Sequence, residues 1–150
     1  MAQSRGTNQL ILPAVAAIIF DQKGRVLLQK RQDVGRWGLL GGHVEFGETV
    51  EQAIYREIAE ETNFAVQIER LIGVYSEPSS QVYFYSDRCV HYITTYFKGE
   101  LISEFEEGFR NEETQQLGLF EVDALPAELA QLNPFWLQDA LSLTTSAFVR

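Results

Sequence analysis

Apolar residues run almost unbroken from Leu10 to Phe20 and end at Asp21-Gln22-Lys23-Gly24, a cluster of turn formers. A short continuous apolar run closed by turn residues is the pattern of a strand buried on both faces, here Pro13 to Phe20. Arg25 to Lys30 returns as a second strand, which makes the pair a hairpin. Gly35, Gly38, Gly41, Gly42 and Gly47 then fall within thirteen residues, a density that marks a loop turning sharply or approaching a ligand closely. The period next lengthens to four: Val50, Ile54 and Ile58 form the buried stripe of a helix. Thr49 with Gln52 three residues on is a capping-box start, and Glu51 suits the positive first turn. Asn63, tolerant of the left-handed conformation, is the expected C-terminal cap.

Three β-rich stretches follow, Phe64 to Tyr75, Val90 to Phe97 and Gln116 to Val122. The C-terminal part holds Pro126 to Leu132 and then a helix start at Asn133-Pro134, with Asn as cap and Pro at the first helical position. Phe135, Trp136, Ala140 and Leu141 are expected to face the core from that helix. Strands and helices mix without strict alternation, so the class is α/β or α+β with a mixed sheet. With no repeat or linker, residues 1–150 read as one domain, and the polar residues 1–9 as a frayed terminus.

Composition narrows the function. The chain has 150 residues, 45% of them hydrophobic and 22% charged, ordinary values for one globular domain. A net charge of −9 is poor for gripping DNA or RNA phosphates and tells against a nucleic-acid partner. A small phosphorylated substrate stays open, since metal ions can supply the positive charge. Cys89 stands alone, so no intrachain disulfide forms, and without Cys or His partners at ligand spacing it reads as strand packing. The run from Leu10 to Phe20 is too short to span a bilayer, and its small residues lie inside it rather than after it, unlike a signal peptide. A cytoplasmic protein without membrane contact is the expectation.

The chemistry concentrates in one helix. At about 100° per residue, Glu57, Glu60 and Glu61 fall within about 100° of one face. Such neighbours repel and weaken a helix. A bare E-x-x-E-E is commonly a solvated surface; three clustered carboxylates with no interleaved base also suit magnesium or manganese. The wider pattern decides between these. Gly42, Glu48, Arg56, Glu57, Glu60 and Glu61, with Ile58 and Phe64 at apolar positions, stand in the register G-x5-E-x7-R-E-U-x-E-E-x-G-U, where U is bulky and apolar. At ~7% usage per residue type, six fixed matches arise by chance on the order of once in ten million positions. The segment resembles the box of the Nudix hydrolases. Asn63 replaces the closing glycine, and Leu40 stands where many relatives carry proline. A weaker likeness extends to Pro13-Ala14-Val15-Ala16, Trp37 to Gly42 and Leu119 to Pro126.

The resemblance implies an α/β/α sandwich with a mixed sheet and the box as a loop–helix–loop. It implies that Glu57, Glu60 and Glu61 bind Mg²⁺, with Mn²⁺ able to substitute, and that the Gly41 carbonyl adds a ligand. Arg56 would orient Glu57, Glu48 would hold Arg56, and Gly42 would support the loop. The implied reaction is hydrolysis of the diphosphate linkage of a nucleoside diphosphate derivative. The general base stays open between Glu60, Glu61 and the loop acid Glu113, with Glu112 beside it.

His43 is a candidate phosphate contact or an ordinary loop residue, and Trp37 a substrate contact or core packing at the site's edge. Tyr83, Phe84 and Tyr85 offer faces for a base or for strand packing. Pro78, fourteen residues past Phe64, lies near where ADP-ribose pyrophosphatases of the family carry a proline. That favours ADP-ribose or a nucleotide sugar. A nucleoside triphosphate pyrophosphohydrolase and a non-catalytic ligand-binding module are the alternatives. An isomerase-like member would need a cysteine before the box, and Cys89 is not there. A homodimer is left open.

Overall fold

The strand expected from Pro13 begins earlier, at Asn8, and runs to Phe20 (β1) in the computed structural model, which describes residues 8–150. Asn8 and Gln9 are therefore strand residues, paired with Arg88 and Cys89, and the remainder of the expected frayed terminus lies outside the described residues. Alternation along β1 explains why its second half, Ala14 to Phe20, is apolar at every position. Val15, Ala17 and Ile19 enter one core cluster, while Ala16, Ile18 and Phe20 enter another on the opposite face. The hairpin forms as read: Val26–Arg31 (β2) pairs Phe20 with Val26 across a turn in which the Asp21 carboxylate accepts from the Lys23 and Arg25 amides.

The remaining elements are Trp37–Gly38 (β3), Leu40–His43 (β4), Val50–Glu61 (α1), Val66–Tyr75 (β5), Pro78–Gln81 (α2), Val82–Phe84 (β6), Arg88–Leu101 (β7), Thr114–Phe120 (β8), Trp136–Leu141 (α3) and Phe148–Val149 (β9). Among the described residues they make a nine-stranded sheet in the order β3-β2-β1-β7-β5-β9, with β4 on β1, β6 on β7 and β8 on β2. The sheet is mixed. β1 and β7 run parallel from Asn8 opposite Arg88 to Phe20 opposite Glu100, and β5 pairs antiparallel to β7. α1 buries Ala53, Ile54 and Ile58 on one face of the sheet, and α3 buries Trp136 and Ala140 on the other. This is the α/β/α sandwich. Cys89 lies in β7, partly buried and unpaired with another cysteine.

The helix starts as its sequence says: the Thr49 hydroxyl accepts from the Gln52 amide and the Gln52 side chain accepts from the Thr49 amide. Its stripe is corrected in one place. Val50 is 40% exposed, because the helix meets the sheet only from Ala53 onward, and Glu57 and Glu61 take places on the buried face.

Its end is corrected too. Among the described residues no residue except glycine has a positive φ, so Asn63 is not a left-handed cap. Thr62 leaves the helix fully extended, with its amide and hydroxyl both donating to the Ile58 carbonyl. The free carbonyls of Glu60 and Glu61 are satisfied from far along the chain, by the Asn111 amide at 2.7 Å and the Thr114 hydroxyl at 2.8 Å. Gln29 donates to the same hydroxyl, and all three groups are buried. Thr114→Val strands two buried partners and should lower stability by about 1–3 kcal/mol in urea unfolding. Asn63→Gly should give no gain, since no left-handed conformation is being relieved.

Two further expectations shift at the C-terminal side. The last helix starts at Trp136, because the Asn133 side chain caps the Phe135 amide in the turn before it. Trp136 and Ala140 face the core, but Phe135 and Leu141 are 41% and 47% exposed. Pro78 opens a short helix, α2.

Candidate active site

Two glycines bring β4 backbone against the carboxylates of α1. Gly41 lies opposite Ala16 in the sheet, and a Cβ on it would sit 2.1 Å from the Val15 carbonyl oxygen. Its amide donates to Glu61 at 2.9 Å. A Cβ on Gly42 would meet the Glu57 carboxylate at 2.5 Å. Gly41 is glycine because the β1 backbone leaves no room for a Cβ, and Gly42 because the strand packs directly on the Glu57 carboxylate.

Arg56 joins the loop to the helix. Its Nε and Nη2 donate to the two oxygens of Glu48 at 2.6 and 2.9 Å, and Nη2 also reaches the His43 carbonyl at 2.9 Å. Its Nη1 donates to Glu57 at 2.9 Å and to Glu60 at 3.4 Å. A bidentate guanidinium of this kind fixes direction as well as charge. The hydrogen bonds from Arg56 draw the Glu48 carboxyl down to about 2.

Glu57, Glu60 and Glu113 each present a carboxylate oxygen within 4.8 Å of the others. Two come from α1, the third from the loop before β8. That loop is held in place by the same bonds that finish the helix: Asn111 donates to Glu60 and accepts from the Glu113 and Thr114 amides. Burial raises the Glu57 carboxyl, against the pull of Arg56. An oxygen-only set of three carboxylates fits a hard divalent cation.

Glu61 is placed differently. It is fully buried behind the three, with one oxygen on the Gly41 amide and the other 3.7 Å from Arg31 without a hydrogen-bond partner. Burial, reinforced by Glu57 and Glu113, pushes its carboxyl up to about 8, with Gly41 and Arg31 opposing. A folded-state value above the ordinary 4.5 means that this group's contribution is fully present below pH 4.5 and is lost as pH rises through about 8. In chelator, the melting temperature of Glu61→Gln relative to the parent should therefore climb between pH 5 and 8. A flat difference across that range counts against a strained Glu61 carboxylate.

The acids open on a cleft of about 710 Å³, whose lining includes Arg31, Gly41, Gly42, His43, Tyr83, Tyr85 and Tyr92. His43 stacks on Tyr92, which also meets Tyr83 edge-on and the Tyr85 hydroxyl at 3.3 Å. Burial, with Arg88 and Arg31 adding to it, lowers the His43 pKa. The alternation of β6 sends Phe84 outward, 75% exposed. Trp37 packs edge-on against Phe120 in the core, and neither it nor Pro78 lines the cleft.

Sequence reading passed over Arg31, Asn111, Thr114 and Gln81. Polar Gln29, fully buried in β2 beside the apolar Val26, Leu27 and Leu28, was the available signal for that corner.

A model of the NUDIX domain matches residues 10–140. Over 70 residues the chain is 47% identical to an ADP-ribose pyrophosphatase of Methanocaldococcus jannaschii, covering 44% of this chain and 41% of that protein. Over 98 residues it is 33% identical to the NAD-capped RNA hydrolase NudC of Vibrio vulnificus, covering 65% of this chain and 36% of that protein. Among solved structures, a UDP-X diphosphatase superposes with a TM-score of 0.69 at 27% identity, covering 92% of this chain and 63% of that one. The chain spans less than half the length of the first curated relatives it matches. No helix among the described residues is long and apolar enough to cross a membrane. With a domain match across most of its length and its own acids gathered at one cleft, the chain belongs to the NUDIX family.

Proposed function

We propose that the protein is a metal-dependent pyrophosphohydrolase that cleaves the diphosphate linkage of a nucleoside diphosphate derivative, with ADP-ribose or a nucleotide sugar favoured. The observation that carries this reading is the set of Glu57, Glu60 and Glu113 within 4.8 Å of one another at the wall of a ligand-sized cleft. Magnesium, or manganese in its place, would be held by these carboxylates, with Glu61 and Gly41 behind them. The ion supplies charge neutralisation at the diphosphate and a more acidic water. The chain's own part is to position and to move one proton. Arg56 keeps Glu57 and Glu60 aimed, and an exposed carboxylate of the set, Glu60 or Glu113, takes the proton of the attacking water as the phosphorus–oxygen bond to the leaving phosphate breaks. His43 and the Tyr83 face are the proposed contacts to phosphate and base.

The name of the Methanocaldococcus relative agrees with ADP-ribose, while that of a Bacillus subtilis relative 44% identical over 64 residues, a putative 8-oxo-dGTP diphosphatase, makes a nucleoside triphosphate the competing arm of the test. The name of the Vibrio relative makes a dinucleotide-capped RNA a necessary arm of the test despite the net charge of −9. Purified protein with magnesium should release AMP and ribose 5-phosphate from ADP-ribose faster than pyrophosphate from any nucleoside triphosphate or NMN from NAD-capped RNA. Faster pyrophosphate release assigns the protein to triphosphates, and faster NMN release to capped RNA. No turnover with either magnesium or manganese leaves a binding module.

A further inference from the structure

The third acid of the set stands on an irregular stretch of chain. Residues 102–113 link β7 to β8 without helix or strand, and they carry Glu104, Glu106, Glu107, Glu112 and Glu113. Of these, Glu113 alone joins Glu57 and Glu60 in the acid set found among the described residues. The alternation of β8 does not aim it. Gln116 pairs with Lys30 but Thr114 pairs with Arg31, so Gln115 interrupts the ladder between Glu113 and the regular strand. Charge works against the placement as well, because three carboxylates gathered without an ion repel one another. A loop acid with no other restraint would turn to water.

One side chain supplies the restraint. The Asn111 Nδ2 donates to the Glu60 carbonyl at 2.7 Å, and its Oδ1 accepts from the Glu113 amide at 2.9 Å and the Thr114 amide at 2.7 Å. Backbone amides can only donate and a backbone carbonyl can only accept, so these partners leave the carboxamide a single orientation. Its oxygen and nitrogen sit on one planar carbon. The backbones of two acids distant in sequence, Glu60 and Glu113, are therefore held at a separation set by one rigid group. Gln32 clamps the other side of the loop: its amide donates to the Glu113 carbonyl at 3.0 Å, and its side chain to the Asn111 carbonyl at 3.2 Å. A ligand carried on a loop keeps its geometry only when its supporting bonds are in place before the ion arrives.

We propose that Asn111 is the positioning residue of the cation site: its carboxamide ties the backbone of Glu113 to that of Glu60, and so selects Glu113 from the acids of its loop as the third ligand. The inference rests on the proposed reading of the three acids as a divalent-cation site and adds what assembles them.

Manganese alone is the probe, titrated into the whole chain without substrate and followed by the spin resonance of the free ion. Asn111→Ala and Glu113→Gln should each weaken binding by about ten-fold or more, the scale of losing a ligand or the partner that orients it. The double variant should bind no more weakly than Glu113→Gln, because Asn111 then has no carboxylate left to place; independent losses would multiply. Asn111→Ser keeps a short acceptor for the Glu113 amide but cannot span to Glu60, so it should bind like Asn111→Ala. Metal-free thermal melts establish that each variant folds, and Asn111→Ser decides alone should Asn111→Ala not fold. Parent-like manganese affinity in a folded Asn111 variant or in Glu113→Gln, or losses that multiply in the double variant, overturns the inference. A parent that binds no manganese overturns it together with the cation reading. Hydrolysis of ADP-ribose, nucleoside triphosphates and NAD-capped RNA is measured in parallel. No turnover by a parent whose manganese affinity depends on Asn111 as described overturns the enzymatic reading and leaves the inference standing. Turnover by a parent whose manganese affinity ignores Asn111 does the reverse.

Discussion

Glu57→Gln should lower turnover by about a hundred-fold or more while leaving the protein folded. The size follows from what one oxygen does at this position. Glu57 is the member of the three-acid set that is both buried and held by Arg56 at 2.9 Å, so its direction is fixed before any ion arrives. An amide keeps the shape, but loses the charge and replaces one acceptor with a donor. A charge-stabilising group removed from a site of this kind costs on the order of 10²–10³ in turnover. Stability should move the other way or not at all. Burial penalises the Glu57 charge, and Glu60 and Glu113 add repulsion, so neutralising it relieves strain against the loss of one ion pair. Chelator should abolish hydrolysis by the parent, and magnesium should raise the parent's melting temperature but not the variant's. Parent-like turnover in Glu57→Gln, with magnesium still raising its melting temperature, would remove the three-acid set from the chemistry.

What could be read from the sequence was what acts over a few residues. Thr49 and Gln52 bond each other across one helical turn, so the capping box is visible as spelling. The apolar run to Phe20 is visible because each residue of β1 from Val15 onward meets a core on its own side. Glu48, Arg56 and Glu57 lie in one segment, and their mutual bonds were implied by that segment's resemblance to the Nudix box. What escaped depended on distant partners. Asn63 looked like a cap because a helix must satisfy its last carbonyls somehow, but Asn111 and Thr114 do so from some fifty residues away. The same long-range stitching carries Glu113 to Glu57 and Glu60. Glu113 could be nominated from its place in a loop, while its seat beside those two, with Glu61 drawn back onto Gly41, could not. Trp37 was read as a possible contact at the site's edge and Pro78 from its likeness in spacing to the proline of ADP-ribose pyrophosphatases, and neither is among the residues that line the cleft.

Gly42→Ala should disable the enzyme nearly as well as removing a carboxylate. The added methyl would stand 2.5 to 2.6 Å from the carbon and both oxygens of the Glu57 carboxylate, closer than such atoms can approach. Gly42 is not in the left-handed region, so its backbone can accept alanine and the collision falls on the Glu57 side chain alone. That side chain must swing away from Arg56 or push the strand back. Overpacking of this sort costs about 1–3 kcal/mol, which a domain can survive. Turnover is far less forgiving, since a misplacement of about 1 Å at a catalytic group can cost ~10²-fold. Gly24→Ala supplies the contrast. Gly24 has a φ of +78° with open space where a Cβ would go, so alanine there should cost about 1 kcal/mol of stability and spare turnover. The two variants, compared for melting temperature and for turnover at saturating magnesium, should separate cleanly: modest destabilisation in both, loss of activity in Gly42→Ala only. A Gly42→Ala protein as active as the parent would mean that the Glu57 carboxylate can leave its place against β4 without consequence, and the reacting diphosphate would then have to lie elsewhere in the cleft.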